Sequence, residues 1–595
     1  MSANTWPNLA AMFFDRVVRH GDAPFLWTKQ EGTFHPVTWR QAAEQVVALA
    51  RGLKNLGLEV GDRVVLVSEN RPEWLITDIA IMAVGGITVP AYTTNTQDDH
   101  LHVAENSGAK GAIVSTRRLA ENFLPAAHRA DDMDFVITME APGISQHLSV
   151  DLHVWDDVLA DGAAGTFDVA AEVGRWQSDD TACIIYTSGT GGAPKGVMLH
   201  HGSIMHNCRG AEDALSELDL GDEVFLSFLP LSHSYEHTAG QFFPLSIGAQ
   251  IYYAEGIETL GADMAEAKPT IMTAVPRLYE MLHARITRGL KSQSGLAQKL
   301  FGKALDLGTR RYHDPSALSL GERAMDTVLD ALVRGKVRGR FGGRLKALVS
   351  GGAPLNPDIG IFFTALGLRI LQGYGQTEAA PVISVNRPSK VKMHTVGPPM
   401  LDVAVRIADD GEILVQGDLI MQGYWRNEDA TYEVINDGWL HTGDVGLMDE
   451  DGYIVITDRK KDIIVNSGGD NLSPQRVEGI LSLEPEIAQA MVHGDRRPHL
   501  VALLVPDTEW MENWATSHAR PADLTVLATD DEFQKDLAAA VSRVNEGLSN
   551  IERVRHFVVA PAPFTIENGQ MTPTMKVRRH VLREIYGEAL EALYG

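Results

Sequence analysis

The chain has 595 residues, 44% hydrophobic and 22% charged, with a formal net charge of -26. That length exceeds what a single hydrophobic core sustains, so at least two domains are expected. The acidic balance argues against a general nucleic-acid binder, whose surface must attract phosphate, and having only Cys183 and Cys208 excludes a disulfide framework or a cysteine zinc cluster.

Asp15, Arg16 and Arg19 interrupt the apolar N-terminus, unlike a secretory h-region. Residues 40–56 have helical spacing, 63–67 read as a buried strand, 72–85 as a helix and 87–89 as a strand. This alternation predicts a parallel sheet covered by helices. The longest apolar stretch, 74–89, is broken by Asp78 and Gly85-Gly86, unlike a membrane span, and the expectation is a soluble, cytoplasmic enzyme. The apolar run Ala182-Cys183-Ile184-Ile185 then opens into Tyr186-Thr187-Ser188-Gly189-Thr190-Gly191-Gly192-Ala193-Pro194-Lys195-Gly196. Glycines let backbone N–H groups curl around an anion, the hydroxyls add donors and Lys195 adds a full charge, so this loop is built to hold phosphate. It is not a Walker A loop, because Pro194 precedes the lysine and Gly196 follows it.

Residues 285–345 are helical and hold 13 Lys or Arg against 5 Asp or Glu. Their plain reading is a set of solvated helix faces; their functional reading is a docking surface for phosphates or for an anionic membrane. Residues 402–456 turn to short strands with glycine turns, a small β unit. The charge cluster Asp458-Arg459-Lys460-Lys461-Asp462 marks the domain boundary, giving domains 1–458 and 459–595.

The Ser/Thr/Gly-rich loop resembles the signature of the adenylate-forming superfamily of acyl-CoA synthetases, luciferases and peptide-synthetase adenylation domains. Within it, residues 437–462, Leu229-Pro230-Leu231-Ser232-His233-Ser234-Tyr235-Glu236 and the helical 285–345 insertion are similar to long-chain fatty acyl-CoA synthetases. The resemblance implies an α/β fold: a large N-terminal domain of mixed parallel sheets with helices and a small β-barrel-like unit, then a smaller mobile α+β domain. It implies that Thr187, Ser188, Gly189, Thr190, Gly191, Gly192 and Lys195 hold the ATP phosphates, and that Gly351-Gly352-Ala353 packs on the adenosine. In Gln372-Gly373-Tyr374-Gly375-Gln376-Thr377-Glu378, Tyr374 faces adenine, Thr377 meets the α-phosphate, and Glu378 with Thr187 holds Mg²⁺. Asp444 and Arg459 meet the ribose, and Lys576 bridges the fatty carboxylate and the α-phosphate.

The implied reaction joins a long-chain fatty acid to the α-phosphate of ATP, releases pyrophosphate and transfers the acyl group to CoA. Between the two steps the C-terminal domain rotates about Lys461, and His233 shapes the thiol entrance. His233 and His237 lack the Glu and third ligand that a zinc site needs. Three departures stand out: Gly191 for a second threonine, Val465 for a lysine and Asp458 for a glycine. The alternatives are another carboxylic acid (medium-chain or aryl), transfer to a carrier protein, or a non-catalytic nucleotide or lipid binder.

Overall fold

The computed structural model describes residues 6–143, 149–187, 193–572 and 575–595. The first sheet has eight strands, in the order Gly423–Tyr424, Lys195–His200, Thr181–Thr187, Ile87–Ala91, Arg63–Val67, Ala109–Val114, Phe135–Thr138, Asp151–Val154. It is parallel from Thr181–Thr187 to the far edge and antiparallel at the near one. Parallel strands are covered on both faces and so read as continuous apolar runs; Val64 to Val67 are all buried.

The second sheet also has eight strands: Val382–Val385, Ile370–Gly375, Ala347–Ser350, Ile271–Ala274, Val224–Ser227, Gln250–Tyr253, Pro24–Gln30 and Thr33–Thr38, with antiparallel pairs only at its two edges. The predicted helix 40–56 is Trp39–Asn55, opened by a reciprocal cap between Thr38 and Gln41. The predicted helix 72–85 is Pro72–Ala83, which starts on proline and is buried at every residue except Glu73. A helix apolar all round belongs inside. One core cluster joins its Trp74 and Ile79 to Val64 and Leu66 of the first sheet and Phe225 and Ile251 of the second. Truncating such a residue, as in Ile79→Ala, costs about 2–5 kcal/mol.

The β unit is a five-stranded antiparallel sheet of Ala404–Ile407, Glu412–Gln416, Ile435–Asn436, Trp439–Met448 and Ile454–Arg459. Its long strand alternates in burial, so that Leu440, Thr442 and Asp444 face inward. Beyond Arg459 the chain builds separate cores, one around Leu481, Phe533 and Leu537 and one around Phe564 and Leu582. These pack on the three-stranded sheet Ile487–His493, Leu500–Pro506, Val554–Val559.

The basic segment forms helices Pro276–Lys291, Gly295–His313, Leu320–Leu329 and Gly335–Arg340, the last two joined by a π-helical turn Asp330–Arg334. Arg334 is fully buried, its guanidinium donating to Ala365 O at 2.7 Å, Ala304 O at 2.8 Å and Asp326 Oδ1 at 2.6 Å. Among the described residues no helix is long and apolar enough to cross a membrane.

Candidate active site

The site is assembled at the carboxyl ends of parallel strands in both sheets, where open α/β sheets place their ligands. In the first sheet, Thr187 ends its strand and pairs in antiparallel register with Lys195, so these two residues lie side by side. The calls on Ser188, Gly189, Thr190, Gly191 and Gly192 lie outside the described residues. The short strand Gly423–Tyr424 adds to the Lys195 strand and brings the Tyr424 ring to 4.9 Å from Lys195 Nζ. The Tyr424 hydroxyl donates to Glu378 Oε1 at 2.8 Å. Thr187, Lys195, Glu378 and Tyr424 therefore gather on one side of the site. Sequence reasoning missed Tyr424; its signal was the aromatic pair Tyr424-Trp425 after a glycine, close before the β unit's long strand.

In the second sheet, Ala347–Ser350 runs into Gly351-Gly352-Ala353, and Ile370–Gly375 carries Gln372, Gly373 and Tyr374. Gly351 is required sterically: a Cβ there would come within 2.9 Å of the Tyr235 ring, whose hydroxyl donates to Val349 O at 2.9 Å. Gly375 is required as well, since its Cβ would meet Pro381 O at 1.9 Å. Gln372 Oε1 is buried with no hydrogen-bond partner among the described residues. Thr377 Oγ1 lies 3.0 Å from Ser234 Oγ, which ties the Glu378 turn to the 229–236 segment.

From the β unit, Asp444 accepts from the Tyr374 hydroxyl at 2.6 Å on Oδ2 and faces Arg459 Nε at 3.1 Å on Oδ1. Asp444 and Arg459 are also register partners on neighbouring strands. Burial raises the Asp444 pKa and the Arg459 charge opposes the rise.

Lys576 follows a turn in which Thr572 Oγ1 accepts from its own N–H at 3.0 Å. Its pKa is pulled down to about 8, first by the surrounding protein and then by Arg459; Asp444, Asp462 and Glu378 oppose the shift. The residue as a whole is exposed. The same ammonium lowers His233, which burial has already driven down to about 3. His233 is thus neutral near pH 7, and its Nδ1 accepts from Tyr235 N–H at 3.2 Å. Lys576 lies within electrostatic reach of Asp444, Glu378 and His233. His237 points elsewhere: its Nε2 meets Asp78 Oδ2 at 2.9 Å, with both side chains fully buried.

Lys461 sits exposed in the turn that follows Arg459. Asp462 N–H and Ile463 N–H both donate to Arg459 O, at 2.8 and 3.0 Å. Its neighbour Lys460 is fixed on Asp410 and Glu412. Among the described residues no cluster of three or more His, Cys, Asp or Glu could hold a metal ion. One carboxylate and one hydroxyl, Glu378 and Thr187, suit a hard cation that keeps most of its water and arrives with phosphate, as Mg²⁺ does.

Comparisons with known proteins place the chain by sequence and by fold. The sequence profile described as AMP-binding enzyme matches residues 13–425, and that of the AMP-binding enzyme C-terminal domain matches residues 461–595. The chain is 36% identical over 596 residues to the long-chain-fatty-acid–CoA ligase FadD15 of Mycobacterium tuberculosis, covering 99% of this chain and 97% of that one. It is 30% identical to the peroxisomal long chain acyl-CoA synthetase 7 of Arabidopsis thaliana, covering 98% of this chain and 86% of that one. Among solved structures, the A domain of the Segniliparus rugosus carboxylic acid reductase, in complex with AMP and a co-purified carboxylic acid, superposes with a TM-score of 0.76 at 23% identity, covering 99% of this chain and 94% of that one. The anthranilate CoA ligase AuaEII, in complex with anthranoyl-AMP, gives 0.73 at 19% identity, covering 99% of both chains.

Proposed function

The chain belongs to the AMP-binding enzyme family, and from that premise we propose that it is an acid–thiol ligase that activates a long-chain fatty acid with ATP and transfers it to CoA. The observation that best supports the site reading is the convergence of separate elements, Tyr374 and Arg459 on Asp444 and Tyr424 on both Glu378 and Lys195.

In the first step a carboxylate oxygen of the acid attacks the α-phosphorus of ATP; the bond to the bridging oxygen breaks and pyrophosphate leaves. Two anions must meet, so fixed positive charge lowers the barrier. In our reading Lys576 supplies that charge between carboxylate and α-phosphate, while Lys195 and the 187–192 loop hold the outer phosphates. Tyr374 and Gly351-Gly352-Ala353 bracket the adenine, and Asp444 with Arg459 takes the ribose. Glu378 and Thr187 would hold Mg²⁺, which when bound neutralises phosphate charge. In the second step the CoA thiolate attacks the acyl carbon and AMP leaves. Lys576 stands where the thiol must approach, so the domain from Lys461 onward turns to withdraw it, with His233 lining the entrance. Any membrane contact would be peripheral.

The test is product analysis with purified protein. Multiple-turnover release of AMP and pyrophosphate should require a fatty acid, CoA and Mg²⁺ together, with no more than one pyrophosphate per enzyme released when CoA is left out. Formation of ADP would overturn the adenylate chemistry, and preference for benzoate over every acid of about ten carbons or more would overturn the substrate class, because an apolar tunnel gains about 0.8 kcal/mol per buried CH₂.

A further inference from the structure

The stretch from Leu320 to Arg340 is a nearly continuous helix with two opposed faces. Its three acids are all ion-paired, Glu322 and Asp326 with the preceding helix and Asp330 within the stretch itself, where its side chain stays 44% exposed. Glu322 meets Arg310 at 2.6 Å, Asp326 meets Arg311 and Arg334 at 2.6 Å each, and Asp330 meets Arg338 at 2.7 Å. Leu329 is fully buried, in a cluster with Ala304 and Leu307 of the preceding helix. The outer apolar stripe itself holds no acid. It carries Leu320, Met325, Val328 and Leu332, exposed by 85%, 48%, 52% and 50%, the last three at spacings of three and four that align them in one stripe. Lys336 and Arg340 follow, both exposed, and neither makes an ion pair among the described residues.

Scattered exposed leucines need no explanation, but an aligned apolar stripe does. Here it ends in unpaired basic residues on a protein whose net charge is -26. Pairing each acid with an arginine offsets the one sign of charge that an anionic surface repels. An apolar face edged by Lys and Arg is the arrangement that lies in the headgroup region of an anionic bilayer.

We propose that the outer face of helix 320–340 docks the enzyme onto anionic lipid bilayers, with Met325, Val328 and Leu332 entering the headgroup–acyl boundary and Lys336 and Arg340 meeting lipid phosphates. Binding needs no catalysis; its use to the enzyme rests on the proposed substrate, an amphiphile that partitions into the same bilayer. The contact is electrostatic in selection and apolar in depth, so it is salt-sensitive and prefers anionic lipid.

The test is flotation of the full-length protein with vesicles of phosphatidylcholine, with and without phosphatidylglycerol. The protein should float only with the anionic vesicles and be released by high salt. Replacing both basic residues (Lys336→Gln with Arg340→Gln) should weaken partition about 30-fold. Met325→Ser with Leu332→Ser should abolish flotation. Both double variants should keep wild-type ATP–pyrophosphate exchange with a water-soluble medium-chain acid, which separates failure of docking from failure of the proposed reaction. Flotation unchanged by either double variant, equal binding to uncharged vesicles, no binding of the wild type, or lipid-free self-association through this face in sedimentation would each overturn the proposal.

Discussion

The Tyr374 hydroxyl donates to Asp444 Oδ2 at 2.6 Å, while Arg459 holds the opposite oxygen of the same carboxylate. Both oxygens of the carboxylate proposed to take the ribose are thus held in a fixed orientation. Asp444→Ala should raise the KM for ATP about tenfold to a hundredfold, the equivalent of about 1.5–3 kcal/mol for a hydrogen bond to a charged group, with the KM for fatty acid little changed. Tyr374→Phe should have a smaller effect in the same direction, about fivefold for one lost hydrogen bond. Steady-state kinetics with each substrate varied in turn checks both, and an unaltered KM for ATP in Asp444→Ala would remove this residue from the site.

Adenylation should lose rate at alkaline pH. Lys576 is charged below a pKa pulled down to about 8 by burial and by Arg459, and only the charged form can lie between two anions. For the free enzyme, kcat/KM for acyl-adenylate formation should be flat near neutrality and fall about tenfold per unit above the pKa. The acid substrate stays ionised throughout this window. In Lys576→Arg the guanidinium does not titrate here, so the alkaline limb should disappear even if the rate is lower. A level wild-type profile up to about pH 10 would contradict the assignment.

The two half-reactions should separate by mutation. Lys576→Ala should abolish acyl-adenylate formation yet leave thioester formation from supplied acyl-AMP largely intact. Lys461→Pro should do the reverse, because proline fixes φ near about -65° and stiffens the turn. Rapid-quench assays of each half-reaction decide the matter. Equal loss of both in both folded variants would sink the rotating-domain account.

Glu236 offers a stability test. Its carboxylate joins two central strands of the second sheet, accepting from Ser227 and Thr273 hydroxyls at 2.6 Å each, and burial pushes its pKa up to about 7. The unfolded chain releases this proton near about pH 4.3. Between those values the folded state binds more protons, so this group's contribution to stability falls as pH rises through the window and then levels. Glu236→Gln should flatten that dependence and raise stability at pH 8 by roughly 3 kcal/mol. Urea midpoints for the N-terminal transition, compared at pH 5 and pH 8, measure it; identical pH dependence in the two proteins would refute it.

Much of this architecture is legible because it rests on local chemistry. The strand before the phosphate loop, the helix at 72–85 and the turn residues around Tyr374 follow from apolar runs and glycines that leave little choice. Asp444 could be picked out as a carboxylate, and strand alternation explains why it faces inward. What sequence could not supply were contacts between distant segments. Tyr424 reaches Glu378 only because a two-residue strand adds to the edge beside Lys195. The basic count of 285–345 likewise hides which charges are paired: Arg334 reads as a surface residue but is fully buried, and only tertiary packing separates it from Lys336.

Arg459 closes the last strand of the β unit, and a single residue separates it from Lys461. A pivot placed there works as a fulcrum hard against one end of its load. A change of backbone angle at Lys461 leaves Arg459 almost where it was, yet sweeps Lys576, far along the lever, through a wide arc. On the proposed pivot, the adenosine would stay gripped through both chemical steps while only the distant ammonium comes and goes, so the leaving group of the second step would never need to be released and caught again.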